Sequence, residues 1–197
     1  FDDSLKLVRP RVPNGEFIDN FNPLESWRGF QEGNAVQYTF FVPQHPYRLI
    51  EKVGKEEVNN RLDSIFTEAR KSIFGGGKIT YAFAGVESPY NHGNQPSLHI
   101  PWLFNFSGKP YLTQKWTRLI CDEFYGTNGE HGYGYGQDED QGQLGAWYVI
   151  SSLGLFDVKG LTDVNPSFAL GSTLFDKVTI QLNNRYYKGR EFVIEAK

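Results

Sequence analysis

The sequence contains very little sulfur. It has no methionine and a single cysteine, Cys121, so no disulfide can form within the chain. Cys121 follows Leu119 and Ile120 in a stretch with helical periodicity, and free cysteine is among the residue types most often buried. We therefore expect an inert, buried thiol at this position.

Long apolar runs and clusters of basic residues are also missing. No segment approaches the roughly 18 consecutive apolar residues that span a bilayer, and no basic and then apolar signal peptide opens the chain. We expect no membrane insertion of this piece. The 20 Lys and Arg and 23 Asp and Glu give a net charge of −3, and no basic run is present to hold phosphates. This composition argues against nucleic acid as a partner.

The start of the sequence indicates a piece of a longer chain. The sequence has no methionine, and it begins at Phe1 within a polar segment that is typical of a loop. The 197 residues with 39% hydrophobic content are nevertheless enough to bury one substantial core. We expect a folded domain whose own beginning lies upstream.

Aromatic residues are abundant, at 16% of the chain with 11 Tyr and 4 Trp. Flat rings bind the C–H faces of sugars, but they also fill protein cores. Core packing is the simpler interpretation for most of them. Only rings beside polar motifs are candidates for ligand contact.

Hydrophobic periodicity predicts a mainly helical chain. The clearest signal is the stripe Val58, Leu62, Ile65, Phe66 and Ala69, which fits one face of an amphipathic helix. Further helical patterns cover about 35–41, 96–106, 110–125 and 141–153, and a short apolar run lies at 47–53. A period of two predicts a β-hairpin that pairs 178–182 with 192–196. The first thirty residues predict an extended loop, because proline and glycine punctuate them too often for a helix.

Three polar clusters stand at predicted helix starts, where a side chain can reach a cleft while the helix holds it still. They are 31–34 with Gln37, 92–96, and 136–140. Inverting hydrolysis of a glycosidic bond needs one carboxyl to protonate the leaving oxygen and one to activate water. Glu32 and the pair Asp138 and Asp140 could supply them.

Structural interpretations compete with each of these assignments. Asp140 followed by Gln143 fits a capping box at a helix start. Glu32 is equally consistent with a solvated loop acid, and Asn94 with a turn residue. The four histidines show no zinc-binding spacing such as H-E-x-x-H.

Several longer stretches decide between these interpretations. EGNAVQYTFFVPQHP at 32–46, YNHGNQPSLHIPWLFNFSGKPYLTQKWTRLI at 90–120, GQDEDQGQLGAWYVISSLGLFDV at 136–158 and GSTLFDKVTIQL at 171–182 resemble the bacterial mannosidases of glycoside hydrolase family 92. The resemblance begins near Trp27 and covers most of the chain. The resemblance is specific because several separate motifs occur in the same order as in the family.

The resemblance implies an architecture and an activity. Members of the family have an N-terminal β-sandwich followed by an (α/α)6 barrel, and they remove terminal α-mannose with inversion, with a calcium ion in the sugar site. Residues 1–170 would form the later part of the barrel, and 171–197 would be C-terminal strands that join the sandwich. Such a chain would depend on the remainder of its own polypeptide and be inactive alone. It would act on mannose-containing glycans in the periplasm, at the cell surface or outside a bacterium.

The resemblance also implies residue roles. Glu32 looks like the general acid, and Asp138 and Asp140 look like the aspartates of the base position, with Asp140 the stronger candidate for the base. Substrate would contact Trp27 and the motif His92, Gly93, Asn94 and Gln95. The calcium would bind mannose O2 and O3, with ligands that the resemblance does not assign.

Two positions depart from the family's motifs. Family members usually carry the motif G-N-E-P, whereas this chain has Gln95 in place of the glutamate before the proline. An acid on the leaving-group side is therefore replaced by an amide. The usual P-H-D is Pro43, Gln44 and His45 here. One alternative is a non-catalytic relative that binds mannosides through Trp27, Trp102, Trp147 and nearby tyrosines. Another is a barrel piece of a different sugar hydrolase.

Overall fold

The computed structural model describes residues 1–76, 83–126, 139, 141–160 and 162–196. Within these residues the chain forms six α-helices, two 3-10 turns and four short strands. The helices are α1 (Ala35–Thr39), α2 (Pro46–Val53), α3 (Lys55–Arg70), α4 (Phe104–Ser107), α5 (Pro110–Glu123) and α6 (Gln143–Ser152), and the 3-10 turns are Gln95–Ser97 and Ile100–Trp102. The strands are β1 (Leu155–Phe156), β2 (Ala169–Leu170), β3 (Lys177–Gln181) and β4 (Glu191–Glu195). The prediction of a mainly α fold is confirmed.

Helix α3 is the centre of the core. All five residues of its predicted stripe, from Val58 to Ala69, are buried. The ring of Phe66 packs on three other aromatic residues, with centroid distances of 4.7 Å to Tyr90, 5.4 Å to Trp116 on α5 and 6.1 Å to Phe104 on α4. Asp63 accepts a hydrogen bond from the indole Nε1 of Trp116 at 2.8 Å. These contacts fix α3 against α5.

The first thirty residues form no helix, as predicted, but they are tied to the helices. The backbone N–H of Val8 donates to the Thr39 hydroxyl at 2.9 Å, and Lys52 on α2 forms a 2.6 Å ion pair with Asp3. The Arg9 guanidinium forms an ion pair with the buried Asp2 at 3.2 Å. The loop therefore has a defined position against α1 and α2.

The single helix predicted for 96–106 is wrong. The segment instead forms the two 3-10 turns and the four-residue helix α4. Pro101 explains the break, because proline lacks the N–H that an α-helix needs and its ring crowds the preceding turn. Gly108 ends α4 with a φ of 82°, a left-handed conformation that suits glycine.

The C-terminal strands form two separate antiparallel pairs, β1 with β2 and β3 with β4. The second pair is the predicted hairpin, in which Val178 pairs with Ile194 and Ile180 with Phe192. Phe192 is nonetheless half exposed. In the described part of the chain, no helix has the length and apolar character needed to cross a membrane.

Candidate active site

Glu32 lies in a tight turn directly before α1. Its φ is 52°, in the left-handed region, and its side chain is partly buried. Gly33 follows because a Cβ there would lie 2.7 Å from the side-chain oxygen of Gln37 and 3.0 Å from the Tyr38 ring. Burial, together with the nearby negative charge of Glu32, raises the pKa of Tyr38. The Tyr38 ring therefore lies against the turn that carries Glu32.

Side-chain amides hold this turn and the start of α1. Asn94 donates its Nδ2 to the backbone carbonyl of Glu32 at 2.8 Å. Asn34 is the N-cap of α1, where its Oδ1 accepts from the N–H groups of Val36 and Gln37 at 3.1 Å. The Asn34 Nδ2 also donates to the carbonyls of Val86 and Ser88, both at 2.9 Å. The predicted clusters at 31–34 and 92–96 therefore lie against each other.

His92 is completely buried in a cage of aromatic rings. Its Nδ1 contacts the Tyr90 hydroxyl at 2.7 Å, and its Nε2 contacts the Tyr125 hydroxyl at 2.8 Å. Its ring centroid lies 4.3 Å from that of Trp147 on α6 and 4.8 Å from that of Phe124. Burial lowers the pKa of His92 to about 3. The imidazole is therefore neutral at physiological pH.

The remaining residues of the second cluster differ in exposure. Gly93 and Asn94 are buried, and the Gly93 N–H donates to the Asn91 side chain at 3.1 Å. Gln95 is exposed and lines a cavity of about 210 Å³. Gln143, at the start of α6, lines the same cavity, so the first turn of α6 also reaches this region.

In the acidic run, Asp138 and Asp140 lie outside the described residues, and their predicted roles rest on the sequence. Glu139 between them is described, and its carboxylate accepts from the backbone N–H groups of Gly142 and Gly145, the latter at 2.7 Å. A carboxylate at this end of a helix satisfies unpaired N–H groups and the positive end of the helix dipole. Glu139 is therefore held against the first turn of α6.

The geometry thus brings together the clusters at 31–34 and 92–96, and the start of α6 lines the same cavity as Gln95. The Trp147 indole on α6 completes the arrangement by donating to the Leu98 carbonyl at 2.8 Å. The family model for the catalytic domain of glycosyl hydrolase family 92 matches residues 1–197. This chain belongs to glycoside hydrolase family 92.

Solved structures of family 92 proteins resemble the chain. The GH92 alpha-mannosidase BT3965 from Bacteroides thetaiotaomicron shares 30% identity with a TM-score of 0.74, over 93% of this chain and 22% of that one. Its complex with mannoimidazole shares 29% identity with a TM-score of 0.72, over 93% of this chain and 24% of that one. The GH92 family glycosyl hydrolase ccman5, at 23% identity and a TM-score of 0.70 over 96% of this chain and 26% of that one, is similar in fold.

The chain spans about a quarter of the length of these relatives. A search of curated proteins gives no significant match.

The tryptophans proposed for sugar binding differ in what they expose. Trp27 is 48% exposed, has a φ of 65° and packs edge-to-face on Phe83 at 5.4 Å. Trp102 and Trp147 are buried in the core, so they present no ring face to a ligand in this structure. Of the three, Trp27 alone offers an aromatic platform at the surface.

Three of the predicted site residues carry oxygen donors of the type that binds calcium. Glu32, Asn94 and Gln95 carry carboxylate or amide oxygens, which are hard ligands suited to Ca²⁺. His92 carries two ring nitrogens, and each of them contacts a tyrosine hydroxyl. Among the described residues, no group of three or more His, Cys, Asp or Glu side chains could hold a metal ion.

Two residues of the site escaped prediction from the sequence. Tyr90 and Tyr125 contact both nitrogens of His92, yet only Tyr90 stands near it in the sequence. Residues two apart in an extended segment point to the same side, which is the one available signal for Tyr90. Tyr125 lies 33 positions away from His92, and only the fold brings the two together.

Proposed function

We propose that the protein carrying this chain hydrolyses terminal α-linked mannose from glycans with inversion of configuration. Membership of family 92 supports this, and so does the relative of 29% identity that was solved with mannoimidazole. One structural observation carries the proposal: the Asn94 amide holds the backbone of Glu32 at 2.8 Å. The carboxyl that we assign as general acid therefore belongs to a turn held by a second motif of the site.

In this proposal the two sides of the scissile bond use different carboxyls. Glu32 protonates the leaving-group oxygen, and Asp140, with Asp138, activates the water that attacks from the opposite face. An inverting pair must leave room for that water, which requires about 6.5 to 9.5 Å between the carboxyl groups. Gln95, exposed on its cavity, would contact the leaving group, and Trp27 the sugar.

We further propose that the chain works within a longer polypeptide, because it covers only 22% to 26% of its relatives. Residues 1–170 would complete an (α/α)6 barrel with earlier helices, and 171–197 would join a β-sandwich. By family resemblance, the protein would act in the periplasm, at the cell surface or after secretion.

The leaving group provides the test of the acid. In the complete protein, Glu32→Gln should slow hydrolysis of a mannoside with a poor leaving group by roughly 10²–10⁴-fold, the usual contribution of general acid catalysis. An activated aryl mannoside, whose leaving group departs unprotonated, should keep much of its turnover. Asp140→Asn should slow both substrates to a similar degree, because water must be activated in either case.

Two outcomes would contradict these assignments. An equal loss on both substrates for Glu32→Gln would remove Glu32 from the acid role. Proton NMR of the first-formed sugar should show β-mannose, and initial α-mannose would mean retention and exclude the inverting pair.

We also propose that activity requires calcium, which would grip the vicinal O2 and O3 of mannose when bound. Turnover should be lost after thorough treatment with a chelator and should return when calcium is added. Unchanged activity after chelation would contradict the metal's role.

The exposed ring of Trp27 favours a second candidate, a mannoside-binding relative without strong activity. Such a protein would bind mannosides equally well with Glu32 or Gln at position 32 and would turn neither substrate over. Hydrolysis that depends on Glu32 excludes this candidate.

A further inference from the structure

His99 is a buried histidine that the proposed mechanism does not use. It is 6% exposed, and its ring packs on that of Phe41 at 5.9 Å. Its Nε2 contacts the backbone carbonyl of Phe40 at 2.8 Å. Burial lowers the pKa of His99 to about 4, although this hydrogen bond opposes the shift, so the ring is neutral near pH 7. A carbonyl oxygen only accepts, so Nε2 carries the proton of the neutral ring and Nδ1 is a bare acceptor.

The second feature of His99 is the accessibility of Nδ1. Among the residues that the structure describes, this atom has no hydrogen-bond partner. The described side-chain nitrogen and oxygen atoms that are both sealed from solvent and unpartnered are Arg9 Nε, Ser88 Oγ, Trp102 Nε1 and Ser151 Oγ. Nδ1 of His99 is not one of them, so solvent reaches it. His99 lines the cavity of about 210 Å³ that Gln95 and Gln143 also line, and Nδ1 is the polar atom that its ring presents there.

The lining of this cavity suits a neutral ligand that carries hydroxyl groups. Gln95 and Gln143 have side-chain amides, which both donate and accept. Lys159, which also lines the cavity, is already engaged in an ion pair with Asp163 at 2.5 Å. An acceptor nitrogen beside two amides matches the hydroxyl groups of a sugar. The volume lies below the roughly 300–1,000 Å³ of pockets for drug-sized ligands, which limits the occupant to a small group.

Two contacts connect the cavity to the turn that carries Glu32. Asn94 donates to the backbone carbonyl of Glu32 at 2.8 Å, and the next residue, Gln95, lines the cavity. Phe41 lines it too and packs edge-to-face at 6.1 Å on Tyr38, whose ring lies against the same turn. The general acid of a glycosidase stands on the leaving-group side of the scissile bond. With Glu32 in that role, the cavity beside its turn is on the side of the leaving group.

We propose that His99 is a specificity-determining residue whose Nδ1 accepts a hydrogen bond from a hydroxyl group of the leaving-group sugar in this cavity. This inference rests on the proposed function, which assigns Glu32 as the general acid. No proton is transferred, because Nε2–H stays on the Phe40 carbonyl while Nδ1 receives an O–H donor. His99 therefore favours a sugar over a simple alkyl group as the leaving group.

The test compares two substrates that differ in the hydroxyl groups of the leaving group. They are methyl α-mannoside and an α-linked mannobiose of a linkage that the complete protein hydrolyses. Both leaving groups need protonation, so the general acid affects both. In His99→Gln the amide can still donate to the Phe40 carbonyl, but the acceptor at the position of Nδ1 is lost. The kcat/KM for mannobiose should fall roughly three- to tenfold, the contribution of one hydrogen bond, and that for methyl α-mannoside should stay within about twofold.

His99→Asn is the reciprocal variant. Its shorter side chain places an amide oxygen near the position of Nδ1, while the donor to the Phe40 carbonyl is lost. This variant should keep the preference for mannobiose that His99→Gln loses. A merely structural role for His99 predicts the reverse, because losses would then follow the bond to Phe40 and would be equal for the two substrates.

Deoxy substrates test the inference in the wild-type protein, without requiring that a variant folds. Each carries hydrogen in place of one hydroxyl group of the leaving-group sugar. One of them should be hydrolysed roughly three- to tenfold less efficiently than mannobiose, and His99→Gln should no longer distinguish the two. If every deoxy substrate stays within about twofold of mannobiose, Nδ1 binds only water and the inference is overturned.

The same measurements separate this inference from the proposed function. A complete protein that hydrolyses neither mannoside contradicts the function itself. Hydrolysis of both mannosides, with His99→Gln changing their kcat/KM by the same factor, overturns the inference alone.

Discussion

Helix α3 and the hairpin formed by β3 and β4 both follow regular hydrophobic patterns, yet they differ in what covers their apolar faces. In α3 the side chains of Val58, Leu62 and Phe66 are fully buried. In the hairpin Ile180 pairs with Phe192, and Phe192 remains 50% exposed. A periodic pattern therefore determines local structure, while burial depends on a second surface that packs against it.

The largest expected effect tests this difference directly. Phe66→Ala removes a ring that packs on Tyr90, Phe104 and Trp116, and it should lower the free energy of unfolding by about 3 to 5 kcal/mol. Phe192→Ala is the matched control on the hairpin and should cost less than about half as much, because a half-exposed ring loses less buried area. Urea unfolding of both variants measures the two values.

Equal losses of unfolding free energy for Phe66→Ala and Phe192→Ala would contradict this difference between α3 and the hairpin. They would mean that Phe192 is buried in the working protein, as expected if the strands join a β-sandwich. The comparison should therefore be made both in the isolated chain and in the complete protein. A loss at Phe192 that rises only in the complete protein would support the proposed packing of 171–197.

An effect that is smaller for each residue should appear on acidification, and it belongs to the helical region. Burial lowers the pKa of His92 to about 3 and that of His99 to about 4, although a hydrogen bond to the Phe40 carbonyl opposes the shift at His99. Unfolded histidine titrates near 6.5. Below that pH the unfolded chain binds protons that the folded chain does not, so stability falls as the pH decreases.

The expected size is about 1.4 kcal/mol per histidine for each pH unit below 6.5, or about 2 kcal/mol per histidine at pH 5. Urea unfolding at a series of pH values between 7.5 and 5 measures it, with the range above 6.5 as the internal reference. A flat profile down to pH 5 would show that both imidazoles take up protons in the folded protein. Residues 171–197 contain no histidine and contribute nothing to this dependence.

The sequence predicted the elements whose patterns are local. The apolar stripe of α3 was sufficient to predict a helix, and the alternation of Val178 and Ile180 was sufficient to predict a strand. Periods of 3.6 and two residues are intrinsic to helix and strand. The apolar spacing at 96–106 fits a helix, but Pro101 removes a backbone donor and interrupts it. Boundaries elsewhere moved by only a few residues.

The candidate site was less predictable, since it depends on contacts between distant segments. Glu32 and Asn94 were chosen separately from motifs, and their direct contact appears only in the fold. The sequence indicates a polar loop residue at His92, between Asn91 and Gly93. His92 is nonetheless buried, because aromatic rings from the end of α5 and the middle of α6 surround it. The helix cap expected from Asp140 lies outside the described residues, and Glu139 caps α6 in the described part.

The single cysteine can report local opening of helix α5. Cys121 on α5 is buried, as the sequence predicted, and burial raises the pKa of its thiol to about 12. The thiolate is the nucleophile that attacks thiol reagents, so labelling in the native state must wait until α5 separates from the core. The rate of modification would then follow the openings of α5 itself. Labelling would add a single mass shift to each molecule, and the labelled fraction over time would measure these openings without any introduced probe.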